Sequence, residues 1–391
     1  MTLLHDEAGQ EVPRRIRARL ERRTDQMALL LGQLVRIESG SDDPAGLNKL
    51  AILLAGLFGE FGPVEWHDAG DEGTSHLVLT VQGDDPSAEH IAVLGHYDTV
   101  WPAGTLERMP AAVANGALSG PGSFDMKGGL VQLYYALNEL RALDSRPRRP
   151  LRILFSCDEE VRSRTSRPLI TGLAQHAAAA LVLESPLPGG ALKTSRKGTG
   201  TYHLAIEGRA AHAGIEPDKG VSAVLELAHQ IQVLHELNHA ERGTTVNVGV
   251  VNGGTRPNVV PARAAAQVDV RVTTAPEAER VDEAIQRLQP VVPGARLTVT
   301  PDLRRPPMEP TDASRALFAR AQAVAAAVGM PGLGEGATGG ASDANLISAL
   351  GVPTLDGLGP EGAGAHADHE HVLIESMPRR TALLAGLLME L

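Results

Sequence analysis

One histidine and four acids stand where apolar runs stop, and a second histidine and a fifth acid stand in glycine-rich turns. "AVLGHYD" (92–98) runs out at His96 and Asp98, "ILFSCDEE" (153–160) at Glu159 and Glu160, and "ALVLES" (180–185) at Glu184. Asp125 lies in "GPGSFDMKGG" (120–129), a glycine-rich turn into a helix, and His366 in "GAGAHADHEH" (362–371). Five carboxylates packed together repel and raise one another's pKa, so a compact cluster of them needs a cation. Two imidazoles with carboxylates and no thiolate suit zinc-like ions better than magnesium or calcium. Asp98 lies two residues beyond His96 and faces the same way along an extended strand. It can accept the ring's second N–H and so fix which nitrogen meets a metal.

Such a cluster needs elements that bring distant residues to one edge. The apolar patterning predicts strands over 76–83, 90–96, 151–160 and 180–185, and helices over 13–38, 47–62, 128–143 and 172–180. The 90–96 run is apolar almost throughout, as a strand covered on both faces is. This alternation implies an α/β sheet flanked by helices, whose ligands gather beyond the carboxyl ends of its strands. Near residue 195 the texture changes. "GTYHLAIEGRA" (200–210) alternates apolar and polar, and the following elements read β-α-β-β-α-β, the ferredoxin-like order. Residues 195–308 are therefore expected to form an inserted α+β domain, and residues 1–194 with 309–391 the larger one. Hinges are expected near 190–200 and 305–312.

Composition narrows the partners. A net charge of -11 repels a phosphate backbone, and 3% aromatic content leaves few surfaces on which bases could stack. The basic stretches "RRIRARLERR" (14–23) and "RPRRP" (146–150) read as a solvated helix face and a loop. A single cysteine, Cys157, allows no intrachain disulfide. No apolar run approaches membrane-spanning length, and the first residues lack a signal-peptide core, so a cytoplasmic location is expected. The expectation is no nucleic acid and no membrane.

In order and spacing, "GHYDTVWP", "GSFDMKGG", "CDEE", "LES", "AAHAGIEPDKGVSA" and "GAGAH" resemble the M20 family of di-zinc metallopeptidases. The nearest likeness is to bacterial glutamate carboxypeptidases of the carboxypeptidase G2 type. It runs from "LVRIESGS" (34–41) to "IESMPRR" (374–380). The resemblance implies a zinc-exopeptidase-like catalytic domain, a mixed sheet flanked by helices. Its inserted ferredoxin-like domain would serve as dimerisation surface and lid. It implies two Zn2+ per subunit, with Co2+ or Mn2+ as substitutes: His96, Asp125 and Glu184 at one ion, Asp125, Glu160 and His366 at the other. A shared carboxylate offsets the repulsion of two dications about 3.5–4 Å apart. Glu159 would be the general base for a zinc-activated water. His212 would stabilise the oxyanion, reaching the site from a homodimer partner. Asn258, Arg271 and Arg305 match positions that hold a substrate's C-terminal carboxylate, with Arg304 a rival to Arg305. "ATGGASDAN" (337–345), Gly340 included, offers backbone N–H groups to the same pocket or forms a tight turn before a helix. After His366 the family often has a Pro-Asp-Glu-Tyr pattern; here "ADHEHV" adds His369 and His371.

The expected activity is hydrolysis of an amide or short peptide with release of a C-terminal amino acid. The alternative is an N-acyl amino-acid deacylase of the acetylornithine deacetylase or succinyl-diaminopimelate desuccinylase type. A peptide-binding homologue without catalysis is disfavoured, because it has no use for Glu159, Asp98 and His212.

Overall fold

The structure, a computed structural model, describes residues 7–70, 73–302 and 304–391. They divide into two compact units. Unit 1 comprises Met1–Ser195, Pro310–Thr338 and Ser342–Leu391; unit 2 comprises Arg196–Glu309 and Gly339–Ala341. No helix among the described residues is long and apolar enough to cross a membrane.

Unit 1 is built on a six-stranded mixed sheet in the order Val64–Asp68, Ser75–Val81, Leu151–Ser156, His90–His96, Ala177–Val182, Thr354–Leu355. The last four strands run parallel. Ile91, Ala92, Val93 and Leu94 are buried. Each large aliphatic among them contributes about 1.5–3 kcal/mol relative to exposure. His96 pairs with Ser156 and Leu94 with Val182, so three strands end at nearly the same level. The residues that follow them share one edge, where an open α/β sheet binds its ligands. A small second sheet pairs Ala117–Ser119 with His371–Leu373, which sets the chain entering Asp125 beside the chain leaving His366.

Three elements differ from the sequence pattern. The helix expected over 13–38 is two, Glu7–Glu21 and Thr24–Val35. The break lets Arg19 and Arg23 both clasp the buried Glu139, and the Thr24 hydroxyl donates to the Glu21 carbonyl. The alanine run expected as helix over 172–180 is helix only over Arg167–Ala174 and becomes strand at Ala177–Val182. Alanine's helix propensity yields there to a strand position hydrogen-bonded on both sides. The strand expected to reach 160 stops at Ser156. Cys157 N–H turns to His76 Nδ1, and the Asp158 carboxylate gathers the N–H groups of Thr165 and Ser166 into a loop.

Unit 2 has the β-α-β-β-α-β order: Gly198–Glu207, Ala223–Glu236, Thr245–Gly253, Arg263–Val272, Ala275–Gln286 and Arg296–Pro301. Its four strands form one antiparallel sheet, ordered Thr245–Gly253, Arg263–Val272, Gly198–Glu207, Arg296–Pro301, the ferredoxin-like arrangement. Tyr202, Leu204 and Ile206 alternate into its core with Val268, Val270, Leu227 and Val281. Ser222 and Thr274 cap the two helices, accepting from Leu225 N and Glu277 N.

Candidate active site

His96 closes the central strand, and its Nε2 lies 3.2 Å from Asp125 Oδ1 and 3.7 Å from Glu184 Oε1. Asp125 turns its other oxygen to His366, with Oδ2 3.4 Å from Nε2; the same nitrogen lies 3.2 Å from Glu160 Oε2. One carboxylate thus stands between two half-sites, each an imidazole with a further acid. Ligand atoms of His96, Asp125 and Glu160 lie within 4.8 Å of one another, and so do those of His96, Glu159 and Glu184. Glu159 is therefore also within ligand reach.

Local backbone aims these groups. Asp125 sits in the irregular turn Ser123–Lys127, and its peptide bond to Met126 is cis. Gly122 opens that turn at φ 71°, where an added Cβ would come within 2.4 Å of Thr99 Cγ2. His366 has φ 61°, a left-handed conformation uncommon for a side-chain residue, and is half exposed. Gly364, at φ 82°, leaves no room for a Cβ beside Glu370 N.

Asp98 is fully buried and acts as a hub. Its Oδ1 lies 3.3 Å from His96 Nδ1 and accepts from Glu159 N at 3.2 Å. Its Oδ2 accepts from Ser41 Oγ at 2.8 Å and Glu160 N at 3.1 Å. Its backbone carbonyl, 3.0 Å from His96 Nδ1, is nearer the ring than its carboxylate. Ser41 reaches it because Ser39–Ser41 runs alongside Tyr97–Thr99.

The donor set fits a divalent cation. Hydrogen bonds that its ring donates to the Asp125 and Glu160 carboxylates push the pKa of His366 up to about 10. Burial pushes His96 down, but the carboxylates of Asp125, Asp98 and Glu184 outweigh it and hold the ring well above its usual value. Burial would raise Asp125, yet its bonds to His366 and His96 hold it well below the usual carboxylate range. Burial raises Glu160. Protons must serve as counter-charge when no ion is bound; a dication on neutral imidazoles does the same work.

In unit 2 the remaining predicted residues fall into two groups. His212 is exposed in the loop after Gly198–Glu207 and bridges to Val259, and Ala213 N donates to Asn258 O at 3.0 Å. Arg271 and Arg305 instead flank Thr199 at the other end of that strand. Arg271 Nη1 donates to Gly339 O at 3.4 Å, and Arg196, which the sequence did not single out, donates to Gly340 O at 3.0 Å. Arg271 also pairs with Asp269 at 2.9 Å. Arg304 pairs with Asp282, whereas Arg305 is buried.

Sequence reasoning also passed over Ser41, Asp158 and Glu370. Asp158 adjoins Glu159, and that adjacency was the available signal, whereas Ser41 meets Asp98 only through the fold. Glu370, between two histidines, gave none. His369 and His371 meet each other, His371 Nδ1 lying 2.8 Å from His369 O.

Residues 92–390 match the profile of peptidase family M20/M25/M40. Carboxypeptidase G2 of Pseudomonas sp. (strain RS-16) is 29% identical over 370 residues, covering 92% of this chain and 88% of that protein. A succinyl-diaminopimelate desuccinylase of Gluconacetobacter diazotrophicus is 27% identical over 383 residues, covering 92% and 95%. Among solved structures, the aminopeptidase PepT of Bacillus cereus superposes with a TM-score of 0.77 at 21% identity, covering 94% of this chain and 98% of that one.

Proposed function

The chain belongs to peptidase family M20/M25/M40, and on that premise we propose that it releases a C-terminal amino acid from an amide or short peptide. Membership carries the broader statement: the chain is a hydrolase of peptide or acyl-amino-acid bonds, in a family of metallopeptidases that use divalent metals. The two-metal arrangement in this reading is supported above all by Asp125 standing between two imidazole–carboxylate half-sites, and the release of a C-terminal amino acid by the likeness to carboxypeptidase G2. In it, His96, Asp125 and Glu184 hold one ion and Asp125, Glu160 and His366 a second, with zinc favoured by the donor types. When bound, such a pair polarises a carbonyl and brings the pKa of water towards neutrality.

The protein's own groups do the rest. Glu159 takes a proton from the attacking water and returns it to the departing amine. Asp98 holds the His96 ring and, through two backbone N–H groups, the turn that carries Glu159. His212 donates to the developing oxyanion. Arg271 and Arg305 hold the substrate carboxylate, a task for which a planar guanidinium fork is suited, with the Gly340 turn lining the same pocket.

Unit 2 is the dimerisation and lid domain in this reading, and unit 1 the catalytic domain. His212 and Asn258 lie beyond Glu207, whereas Arg271, Arg305 and Gly340 gather near Thr199. Along an extended strand that separation is roughly 26 Å at about 3.3 Å per residue. A small substrate cannot meet both groups from one copy, so one copy supplies the arginines and a second the histidine. Val250 and Val251 on the edge strand, with Val224, Leu225 and Val233 on the adjacent helix, expose the apolar surface that a second copy would cover.

The test is complementation. His212→Ala and Arg271→Ala homodimers should each be nearly inactive, and their mixed dimer, with one intact site, should regain activity. A mixed dimer that forms but stays inactive contradicts the shared site. The likeness to the desuccinylase supports a second reading, deacylation of an N-acyl amino acid. A panel of dipeptides, folate-type glutamates and N-acyl amino acids separates the two.

A further inference from the structure

The buried Glu370 carboxylate accepts four N–H groups. Its Oε2 takes Trp101 Nε1 and Gly122 N, each at 2.9 Å. Its Oε1 takes Phe124 N at 2.9 Å and Asp125 N at 3.0 Å. Its backbone is held as well: Gly120 N donates to its carbonyl, and its own N–H donates to Ala367 O. These partners come from three separate stretches. Trp101 ends the loop that begins at His96, the 120–125 turn presents Asp125, and Glu370 stands four residues beyond His366.

We infer that Glu370 is a positioning residue, tying the loops of His96, Asp125 and His366 into one metal-ready geometry. The inference rests on the metal reading above. Glu370 has no exposed surface and each of its oxygens already accepts two bonds, so it does not touch substrate. All four partners are donors, so the residue must be an acceptor only. Glutamine would set its amide NH2 against two N–H groups. The same loop reaches Asp125 twice, through Glu370 on the backbone and His366 on the side chain, which fixes the aspartate's two oxygens relative to both imidazoles. Tryptophan at 101, unexplained by the sequence pattern, acquires a role: its Nε1–H is the tie to the His96 loop, while its ring lies under Arg108.

The test compares zinc affinity, by competition with a chromophoric chelator, in the full-length wild type, Glu370→Gln and Trp101→Phe. Phenylalanine keeps a ring under Arg108 and removes one bond without adding a donor. Glu370→Gln should bind zinc roughly 10- to 100-fold more weakly, as loss of a group that orients ligands does, and Trp101→Phe should weaken it less. A purely structural role would lower the melting temperature and leave the affinity of the folded protein unchanged. Folded Glu370→Gln with wild-type affinity overturns the inference. If that variant does not fold, Trp101→Phe decides, and unchanged affinity there overturns it equally. Wild-type protein that binds no zinc overturns the metal reading itself.

Discussion

Replacing Asp98 by asparagine tests whether this carboxylate works as an acceptor hub. The amide can sit two ways. With its nitrogen in place of Oδ1 it faces both Glu159 N and His96 Nδ1. With its nitrogen in place of Oδ2 it faces Ser41 Oγ and Glu160 N. The second is cheaper, because the Ser41 hydroxyl can rotate to accept, leaving only Glu160 N–H unmet. One buried N–H without a partner costs about 1–3 kcal/mol. Asp98→Ala leaves both backbone N–H groups unmet and should cost about twice as much. Both tryptophans, Trp66 and Trp101, lie in unit 1, so tryptophan fluorescence during urea unfolding reports that unit alone. The measurement is made in chelator, so that metal binding does not contribute. In the metal-loaded enzyme, Asp98→Asn should lower kcat/KM roughly 10- to 100-fold. Wild-type stability and activity in Asp98→Asn refute the hub. Equal losses in the asparagine and alanine variants refute the rotation of Ser41.

Further outcomes follow from other sites. Glu159→Gln should keep wild-type metal content and lose roughly 10²- to 10⁴-fold in kcat, as removal of a general base does; loss of metal instead would reassign Glu159 as a ligand, a role its proximity to His96 and Glu184 permits. In unit 2, hydrogen bonds from Arg280, then Thr244 and Arg242, hold Glu277 down at about 2. A depressed carboxylate contributes stability above its ordinary value of 4.5 and loses it as pH falls towards 2. Protection factors of unit 2, which remove the intrinsic slowing of exchange in acid, should therefore fall across that window in wild type and less steeply in Glu277→Gln; equal slopes contradict the pairing. Burial pushes Cys157 up to about 12, so the folded protein at pH 8 should resist a thiol reagent that labels the denatured chain promptly. Prompt labelling of folded protein would contradict its burial.

What the sequence made legible was local. His96 and Asp98 announce themselves because a continuous apolar run ends on them, and the period-two alternation of 200–207 is the burial pattern of that strand. The alternation of elements gave the α/β class and the β-α-β-β-α-β order of unit 2. What escaped was set by distant partners. Ala177–Ala180 is strand because it pairs with His90–Ala92 and, at Ala180, also with Thr354, against alanine's own preference. The helix break before Thr24 answers to Glu139, more than a hundred residues away. Glu370 gave no signal, since three of its four donors are backbone N–H groups some 245 residues distant. No pattern of side-chain types records them.

The most direct measurement is anomalous X-ray scattering at the zinc edge from crystals grown with zinc. Two adjacent peaks are expected, sharing Asp125, with His96 and Glu184 at one and Glu160 and His366 at the other. Scattering confined to His369 and His371, or no peak among these side chains, would contradict the proposed centre.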